Sequence, residues 1–375
     1  MLIYQGINKP KGEQMSNEKS RSRIYICHTF YHVYISCLKE FNLPASERGK
    51  ASMILSLMSN DFGNLSDKLA ESGLFEDVFI YDEKREDYFP ELAKWKKDHG
   101  NIISNMISRI IFTKKFGKLQ APFIPCDLKQ YGDIYVYCDA DPIGYYLSTH
   151  RIRYHALEDG LDTLEDCVEA IYDNRGCFAL KKFLSEKLNL IFIRDGYNKY
   201  CIDIEVNNIS KIRFPYKKYI EVPRAKLAAG ITKQDEDTLL WLFIRDYDSL
   251  KKMISSIDPG EKNILILSDP LCELDVRKKI FADLIEEYSK EGNVFIKPHP
   301  RDVLDYEKEF PDTPSFDGKM PMEVFNHLPD FRFSKVISVY THVTDIKFAD
   351  ESVVLGHDFM DKYEDPSIHR KDEAI

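Results

Sequence analysis

The sequence predicts an α/β protein made of two parallel-sheet halves joined by a helical connector. Short apolar runs of strand length alternate with longer amphipathic segments, which is the spacing of parallel βαβ units and not of an antiparallel sandwich. The alternation occurs twice, from Arg23 to Ala156 and again from Asn263 to Leu355. A length of 375 residues, at about 150 per domain, leaves room for two cores.

The elements follow in order. Ile24–Cys27 is a buried-type strand, and His28–Phe41 continues with helical periodicity. Ser52–Leu57 is the next strand, followed by a helix over Asp61–Ser72 that Asp61 would cap. Asp77–Tyr81, Asp133–Tyr137 and Arg151–Ala156 are the third to fifth strands. One strong helix covers about Lys233–Ile257. Beyond it come strand Asn263–Leu267, helix Glu273–Lys290, strand Asn293–Ile296, helix Pro321–His327, and strands Lys335–Ser338 and Ser352–Leu355. The implied organisation is a disordered tail over 1–22, a Rossmann-like half over 23–222, a helical connector over 223–257 and a second Rossmann-like half over 258–375.

Composition narrows the function. Hydrophobic residues at 43% and charged residues at 30% exclude wholesale disorder. A net charge of −10 argues against nucleic acid as a partner, because a polyanion would need a local basic patch. Met1–Ser22 is polar without the apolar centre of a signal peptide, and Met15-Ser16-Asn17-Glu18 would itself be a sensible start. No run approaches the roughly 18–20 apolar residues of a membrane span. Eight cysteines without CxxC spacing suit buried thiols in a reducing cytoplasm.

Ligands of doubly wound sheets sit beyond the carboxyl ends of the strands, which singles out four places. In Glu158-Asp159-Gly160 two adjacent carboxylates make a turn that can push one acid into a cleft, and like-charge crowding raises a carboxyl toward a useful general base. A plain strand-ending turn is the alternative. In Lys297-Pro298-His299-Pro300-Arg301 two prolines fix the backbone around an imidazole, with cations on either side, a cluster suited to a departing phosphate. Ser338-Val339-Tyr340-Thr341-His342-Val343-Thr344 runs from a strand into what reads as a helix, where hydroxyls and free N–H groups form an anion site or a simple cap. Asp139 and Asp141 form a DxD that can hold a divalent cation, although Asp141-Pro142 serves equally as a helix start and the structural reading is preferred. His28 and His32 are four apart, as on one helix face, but no third ligand accompanies them and no metal site is expected. Neither GxxxxGK[ST] nor GxGxxG occurs.

Taken in this order, the motifs resemble those of bacterial sialyltransferases. Glu158-Asp159-Gly160 is similar to their D/E-D-G motif, Pro298-His299-Pro300 to their His-Pro motif, and Thr341-His342 falls where a Ser-rich motif follows. Ile26-Cys27-His28-Thr29 and Ile264–Pro270 fit the layout of glycosyltransferase family 52, the lipooligosaccharide sialyltransferase family, over about Arg23 to Gly356. The resemblance implies a GT-B fold, two Rossmann-like domains facing a central cleft, with the acceptor on the first and the nucleotide sugar on the second. It implies inverting transfer of sialic acid from CMP–sialic acid to a galactose-type sugar of a bacterial capsule or lipooligosaccharide, with no cofactor and no metal. Asp159 would be the general base, beside Glu158, and His299 would stabilise or protonate the leaving phosphate. Gly160, Lys297, Pro300, Arg301, Glu323, Ser338, Thr341, His342 and Thr344 would bind substrate, Glu323 at the donor ribose. Members with Gly-Ser-Pro-Asp place a base after the proline; here Ser268-Asp269-Pro270 makes Asp269 a rival. The alternatives are a GT-B transferase of wall or capsule assembly with a CDP-linked donor, or a non-catalytic glycan-binding member of the fold.

One segment departs from the overall charge. Residues 94–118 carry Lys94, Lys96, Lys97, Arg109, Lys114, Lys115 and Lys118 against Asp98 alone, a local charge of +6. Ile102, Ile103, Met106, Ile107, Ile110 and Ile111 recur there at helical spacing. Such a helix packs its isoleucines on the first half, or lies on the anionic inner face of the cell membrane where a lipid-linked acceptor would be.

Overall fold

The computed structural model describes residues 21–160, 163–164, 168–257, 260–329, 331–341 and 347–370. Two parallel sheets organise the chain. The first contains β1 Arg21–Cys27, β2 Ala51–Ser56, β3 Phe75–Tyr81, β4 Tyr131–Val136, β5 Tyr154–Leu157, β6 Cys201–Val206 and β7 Tyr219–Glu221, in the order β3-β2-β1-β4-β5-β6-β7. The second contains β8 Asn263–Leu267, β9 Asn293–Lys297, β10 Phe333–Ser338 and β11 Ala349–Val354, in the order β11-β10-β8-β9. The order reverses between β1 and β4 and between β8 and β10, and such switch points leave a crevice beyond the carboxyl ends of the strands. The helices that matter for the site are α1 Phe30–Phe41, α2 Leu65–Glu71, α3 Ile102–Leu119, α4 Pro142–His150, α5 Glu169–Asp173, α6 Phe178–Glu186, α7 Arg224–Ala229, α8 Lys233–Phe243, α9 Tyr247–Ser256 and α10 Leu274–Tyr288.

β2 and β8 are buried along their whole length, as expected of central strands covered on both faces. α1 starts where Thr29 caps it. The Thr29 hydroxyl accepts the His32 N–H at 3.2 Å, and His32 Nδ1 accepts the Thr29 N–H at 3.2 Å, a capping box with histidine in the reciprocal position. α1 is then clamped to β1 by a buried charge cluster, in which Arg23 Nε donates to Glu40 Oε1 at 2.6 Å and the Tyr25 hydroxyl donates to the same oxygen at 2.8 Å.

Several expectations are corrected. His28 precedes the cap and lies outside α1, so His28 and His32 do not share a helix face. Asp61 does not cap α2; its carboxylate accepts the Gly63 N–H at 2.9 Å in a local turn, and the helix begins four residues later at Leu65. The single helix expected over 233–257 is two. Ile244 turns extended, Asp246 caps α9 through the Ser249 N–H, and Lys68 of α2 takes the freed carbonyls of Trp241 and Ile244 at 2.8 and 3.0 Å. Residues 322–327 form 3-10 turns and not an α-helix. Arg21 and Ser22 open β1 instead of ending the tail, the rest of which lies outside the described residues.

One apolar cluster joins the halves. It runs from Tyr25, Val33 and Leu55 through Leu239 and Phe243 to Leu265, Phe295, Phe325 and Phe333. The Tyr34 hydroxyl meets His327 Nε2 at 3.0 Å across the same seam. The clamp on α1 generates a stability prediction. Glu40→Ala strands the Arg23 guanidinium and should cost about 3–5 kcal/mol in urea unfolding. A loss below about 1 kcal/mol, the usual effect of an ordinary substitution, would contradict it.

Candidate active site

The carboxyl edges of both sheets open into one cleft of about 950 Å³, lined by Asp159 and Gly160 from the first sheet and by Lys297, His299, Pro300, Arg301, Glu323 and Thr341 from the second half. The first wall is built around His32. Its Nδ1 accepts the N–H groups of His28 at 3.0 Å and Thr29 at 3.2 Å, so the neutral ring carries its proton on Nε2. That Nε2–H reaches both the carbonyl oxygen and Oδ1 of Asp159, each at 2.7 Å. The ring is fully buried and stacks on Tyr137 at 4.3 Å, within 7° of parallel. Cys138 Sγ donates to the same Oδ1 at 3.0 Å. Among the described residues no hydrogen bond reaches Asp159 Oδ2, and the side chain is 57% exposed to the cleft.

This reverses the electrostatics expected of the acidic turn. The His32 hydrogen bond holds the Asp159 carboxyl well below the usual carboxylate range, and burial holds His32 below its ordinary value, so the pair is carboxylate and neutral imidazole. Glu158 does not crowd Asp159. Its carboxylate turns into the core, accepting the N–H groups of Leu164 at 3.1 Å and Asn207 at 2.8 Å, so it organises the turn and does not line the cleft.

The second wall carries the His-Pro loop. The His299 N–H donates to Ser268 Oγ at 3.0 Å, and Ser268 donates to Asp302 at 2.7 Å. The buried Asp302 carboxylate is paired with Arg277 at 2.5 Å and also accepts the Tyr306 hydroxyl at 2.9 Å. The Arg301 N–H donates to His299 Nδ1 at 3.1 Å, which leaves the His299 proton on Nε2. Burial and the neighbouring Arg301 lower the proton affinity of His299. Lys297 lies beneath the loop, donating to the carbonyls of Pro298 and Gly318 at 2.8 Å each, and burial pulls its ammonium down to about 7. Burial raises the carboxyl of Glu323.

Other expected site residues lie elsewhere. Ser338 is buried and donates to the Thr341 carbonyl at 2.6 Å, so it shapes the loop from behind. Asp269 is buried too, accepting the Thr341 hydroxyl and, at 3.4 Å, the Tyr340 N–H; it braces the loop after β10 and is not in the cleft lining. His342 and Thr344, with the helix expected there, lie outside the described residues. Asp139 is internal, bonded to the Tyr154 hydroxyl at 3.0 Å and the Asp195 N–H at 3.1 Å, and burial beside Asp195 pushes it up to about 6. Burial likewise pushes Asp141 up to about 6.

Cys138 is a third group near the histidine pair that spacing alone does not reveal. His28, His32 and Cys138 offer ligand atoms within 4.8 Å of one another. His32 uses both nitrogens as described, and His28 Nε2 meets Glu83 at 2.9 Å. Glu83 in turn accepts Ser56 Oγ at 2.8 Å and the Ile143 N–H at 2.6 Å, tying the ends of β1 and β2 to the start of α4. The one readable signal for His32 is its place three residues after Thr29, the reciprocal position of a capping box.

The tautomer of His32 is directly measurable. At pH 6.5, where an exposed histidine is half protonated, ¹⁵N-edited imidazole spectra should show His32 neutral with its proton on Nε2. A doubly protonated ring at that pH would contradict the geometry.

The comparisons with known proteins now bear on this site. The glycosyltransferase family 52 model matches residues 78–354. An uncharacterized protein of Haemophilus influenzae is 31% identical over 109 residues, which are 28% of this chain and only 34% of that relative's length. Among solved structures, the α/β-galactoside α-2,3-sialyltransferase of Photobacterium phosphoreum aligns over 89% of this chain and 90% of its own, with a TM-score of 0.51 and 10% identity. The GT-B domain of a Photobacterium damselae sialyltransferase aligns over 86% of each chain with a TM-score of 0.48 and 10% identity. No helix among the described residues is long and apolar enough to cross a membrane. With the family matched over most of its length and two Rossmann-like sheets facing one cleft, the chain belongs to glycosyltransferase family 52 and is a GT-B glycosyltransferase.

Proposed function

We propose that the enzyme transfers sialic acid from CMP–sialic acid to a galactose-type terminal sugar of a bacterial surface glycan, with inversion and without a metal. One observation carries the reading: the Asp159 carboxylate and the His299 imidazole line the same cleft from different sheets. The acceptor hydroxyl attacks the anomeric carbon while its proton passes to Asp159 Oδ2. The bond from that carbon to the phosphate oxygen breaks on the opposite face, and its electron pair leaves with CMP. His299 Nε2–H meets the departing phosphate as a hydrogen-bond donor or proton source. Arg301 adds positive charge there, Glu323 receives the donor ribose, and Thr341 with the His-Pro loop closes around the phosphate. Because CMP leaves with a single phosphate, these side chains can balance its charge without a divalent cation. The Asp159 carboxyl stays ionised throughout the neutral range and so is always free to accept a proton, although the His32 hydrogen bond makes it a weaker base than an ordinary carboxylate, and His32 fixes which oxygen accepts. The acceptor belongs to a capsule or lipooligosaccharide assembled on a lipid carrier, which puts the enzyme on the cytoplasmic side of the cell membrane.

The test is nucleotide release over a panel of CMP- and UDP-linked sugars with and without EDTA. Release of CMP from CMP–sialic acid, undiminished by EDTA, is the expected result; turnover only of a UDP-sugar with added Mn²⁺ would overturn the reading. Asp159→Asn and His299→Ala should each lower turnover by roughly 10²–10⁴-fold, the usual contribution of a general acid or base. Rates near wild type in both would remove those roles. Since the His32 hydrogen bond depresses the Asp159 carboxyl, His32→Phe should move the acid limb of kcat/KM to higher pH. An unmoved or downward limb would refute the coupling.

A further inference from the structure

Among the described residues Arg224 is a buried cation without a counter-charge. It opens α7 at the carboxyl edge of the first sheet, where the Asn207 side chain accepts its backbone N–H at 2.9 Å. Asn207 in turn donates its own N–H to Glu158 at 2.8 Å, so one chain of hydrogen bonds ties Arg224 to the acidic turn. The residue is only 6% exposed. Its Nη1 reaches the Val222 carbonyl at 3.4 Å, and its Nη2 has no hydrogen-bond partner among the described residues. Burying an unpaired guanidinium is costly. A water can satisfy one N–H but leaves the charge unbalanced.

Arg224 lines a recess of about 90 Å³, room for a small planar anion, whose walls include Tyr31, Glu236, Met322, Glu323 and Lys347. Tyr31, Met322 and Glu323 also line the cleft, so the recess adjoins it there. The Tyr31 hydroxyl is a second buried group without a partner among the described residues. Burial and Glu323 raise that hydroxyl and Arg224 lowers it, which puts both charges within its electrostatic reach. Neither acid of the recess answers Arg224. Glu236 meets His327 Nδ1 at 3.4 Å, and the cation acting on the Glu323 carboxyl is Lys297. The recess is also separate from the phosphate loop, since His299, Arg301 and Thr341 line the cleft and not the recess. It starts instead beside His32, the neighbour of Tyr31 in the chain, which holds the Asp159 carboxylate.

We propose that Arg224 and the Tyr31 hydroxyl bind the carboxylate of the transferred sugar and thereby select an acidic donor. The proposal rests on the reading of the donor as CMP–sialic acid, whose sugar carries a carboxylate on the carbon that is attacked. A guanidinium presents paired N–H groups that match the two oxygens of a carboxylate, and the hydroxyl supplies a further donor. The phosphate of the same donor is served by the opposite wall, so the two anionic groups have separate cations. A carboxylate held in the recess fixes the reacting carbon one bond away. A neutral sugar in its place would leave Arg224 buried and unpaired, which discriminates against it.

The test is calorimetric titration of the full chain with CMP and with an inert analogue of CMP–sialic acid, the analogue as free acid and as its carboxylate methyl ester. The wild type should bind the acid about 10–100-fold more tightly than the ester, the usual worth of hydrogen bonds to a charged group. Arg224→Met should bring that ratio close to one and leave the affinity for CMP unchanged, since CMP lacks the carboxylate. Tyr31→Phe keeps the ring and removes only the hydroxyl, and it should narrow the ratio by about 2–10-fold. Should Arg224→Met fail to fold, Tyr31→Phe carries the test alone. A ratio unchanged in the variants, or an equal loss for acid, ester and CMP in Arg224→Met, would overturn the proposal. So would a wild type that binds acid and ester alike. A wild type that binds CMP but gains nothing from either sialyl form would remove the donor reading, and the proposal with it.

Discussion

Both nitrogens of His32 are committed, one to the backbone that starts α1 and the other to Asp159, and the first wall of the cleft is arranged around that constraint. A ring that accepts two amides through Nδ1 can only donate through Nε2 while neutral. Its donor is aimed where β5 ends, at both the carbonyl and the carboxylate of one residue. The orientation of the proposed base is thus set by the capping geometry of a helix from a different strand connection. Whatever holds α1 in place also holds Asp159. The Arg23–Glu40–Tyr25 cluster clamps the helix to β1, Ser36 reaches Tyr137 beyond β4 at 3.0 Å, and Lys39 bonds Glu205 of β6 at 2.5 Å.

The opposite wall uses a different device for the same end. There the backbone is fixed by prolines, and a buried ion pair, Arg277 with Asp302, passes its order through Ser268 to the His299 N–H. The two devices belong to different sheets, so their separation depends on the seam. That seam is an apolar core shared by β1, α1, α8, β8 and β10, crossed by the Tyr34–His327 hydrogen bond. Neither sheet has a complete core of its own on that side.

Much of this was legible in the residues, and the failures have physical causes. β8 is read at its true bounds because Ile264–Leu267 is continuously apolar between Asn263 and Ser268. β6 and β7 escape notice because Cys201–Val206 interleaves Asp203 and Glu205, and β7 is only three residues long. α8 and α9 merge in the sequence because periodicity continues across a break that a lysine from α2 stabilises. At the site, Asp159 and His299 are found by their places after strands. Which of Glu158 and Asp159 faces the cleft is not readable, since it depends on the Leu164 and Asn207 amides that draw Glu158 inward. The His32–Asp159 contact spans 127 residues and exists only because the sheet order puts β5 one strand from the β1–β4 switch point. Asp269 and Ser338, at strand ends, make their hydrogen bonds to the loop at Thr341, so the structure places them just behind the cleft-lining Thr341.

The central claim is that His32 and Asp159 act as one unit, and a double-mutant cycle on turnover of CMP–sialic acid tests it most directly. If His32 works only by orienting and tuning the Asp159 carboxylate, His32→Phe with Asp159→Asn should turn over no more slowly than Asp159→Asn alone. If the two losses multiply, His32 contributes independently of Asp159 and the account of the first wall is wrong.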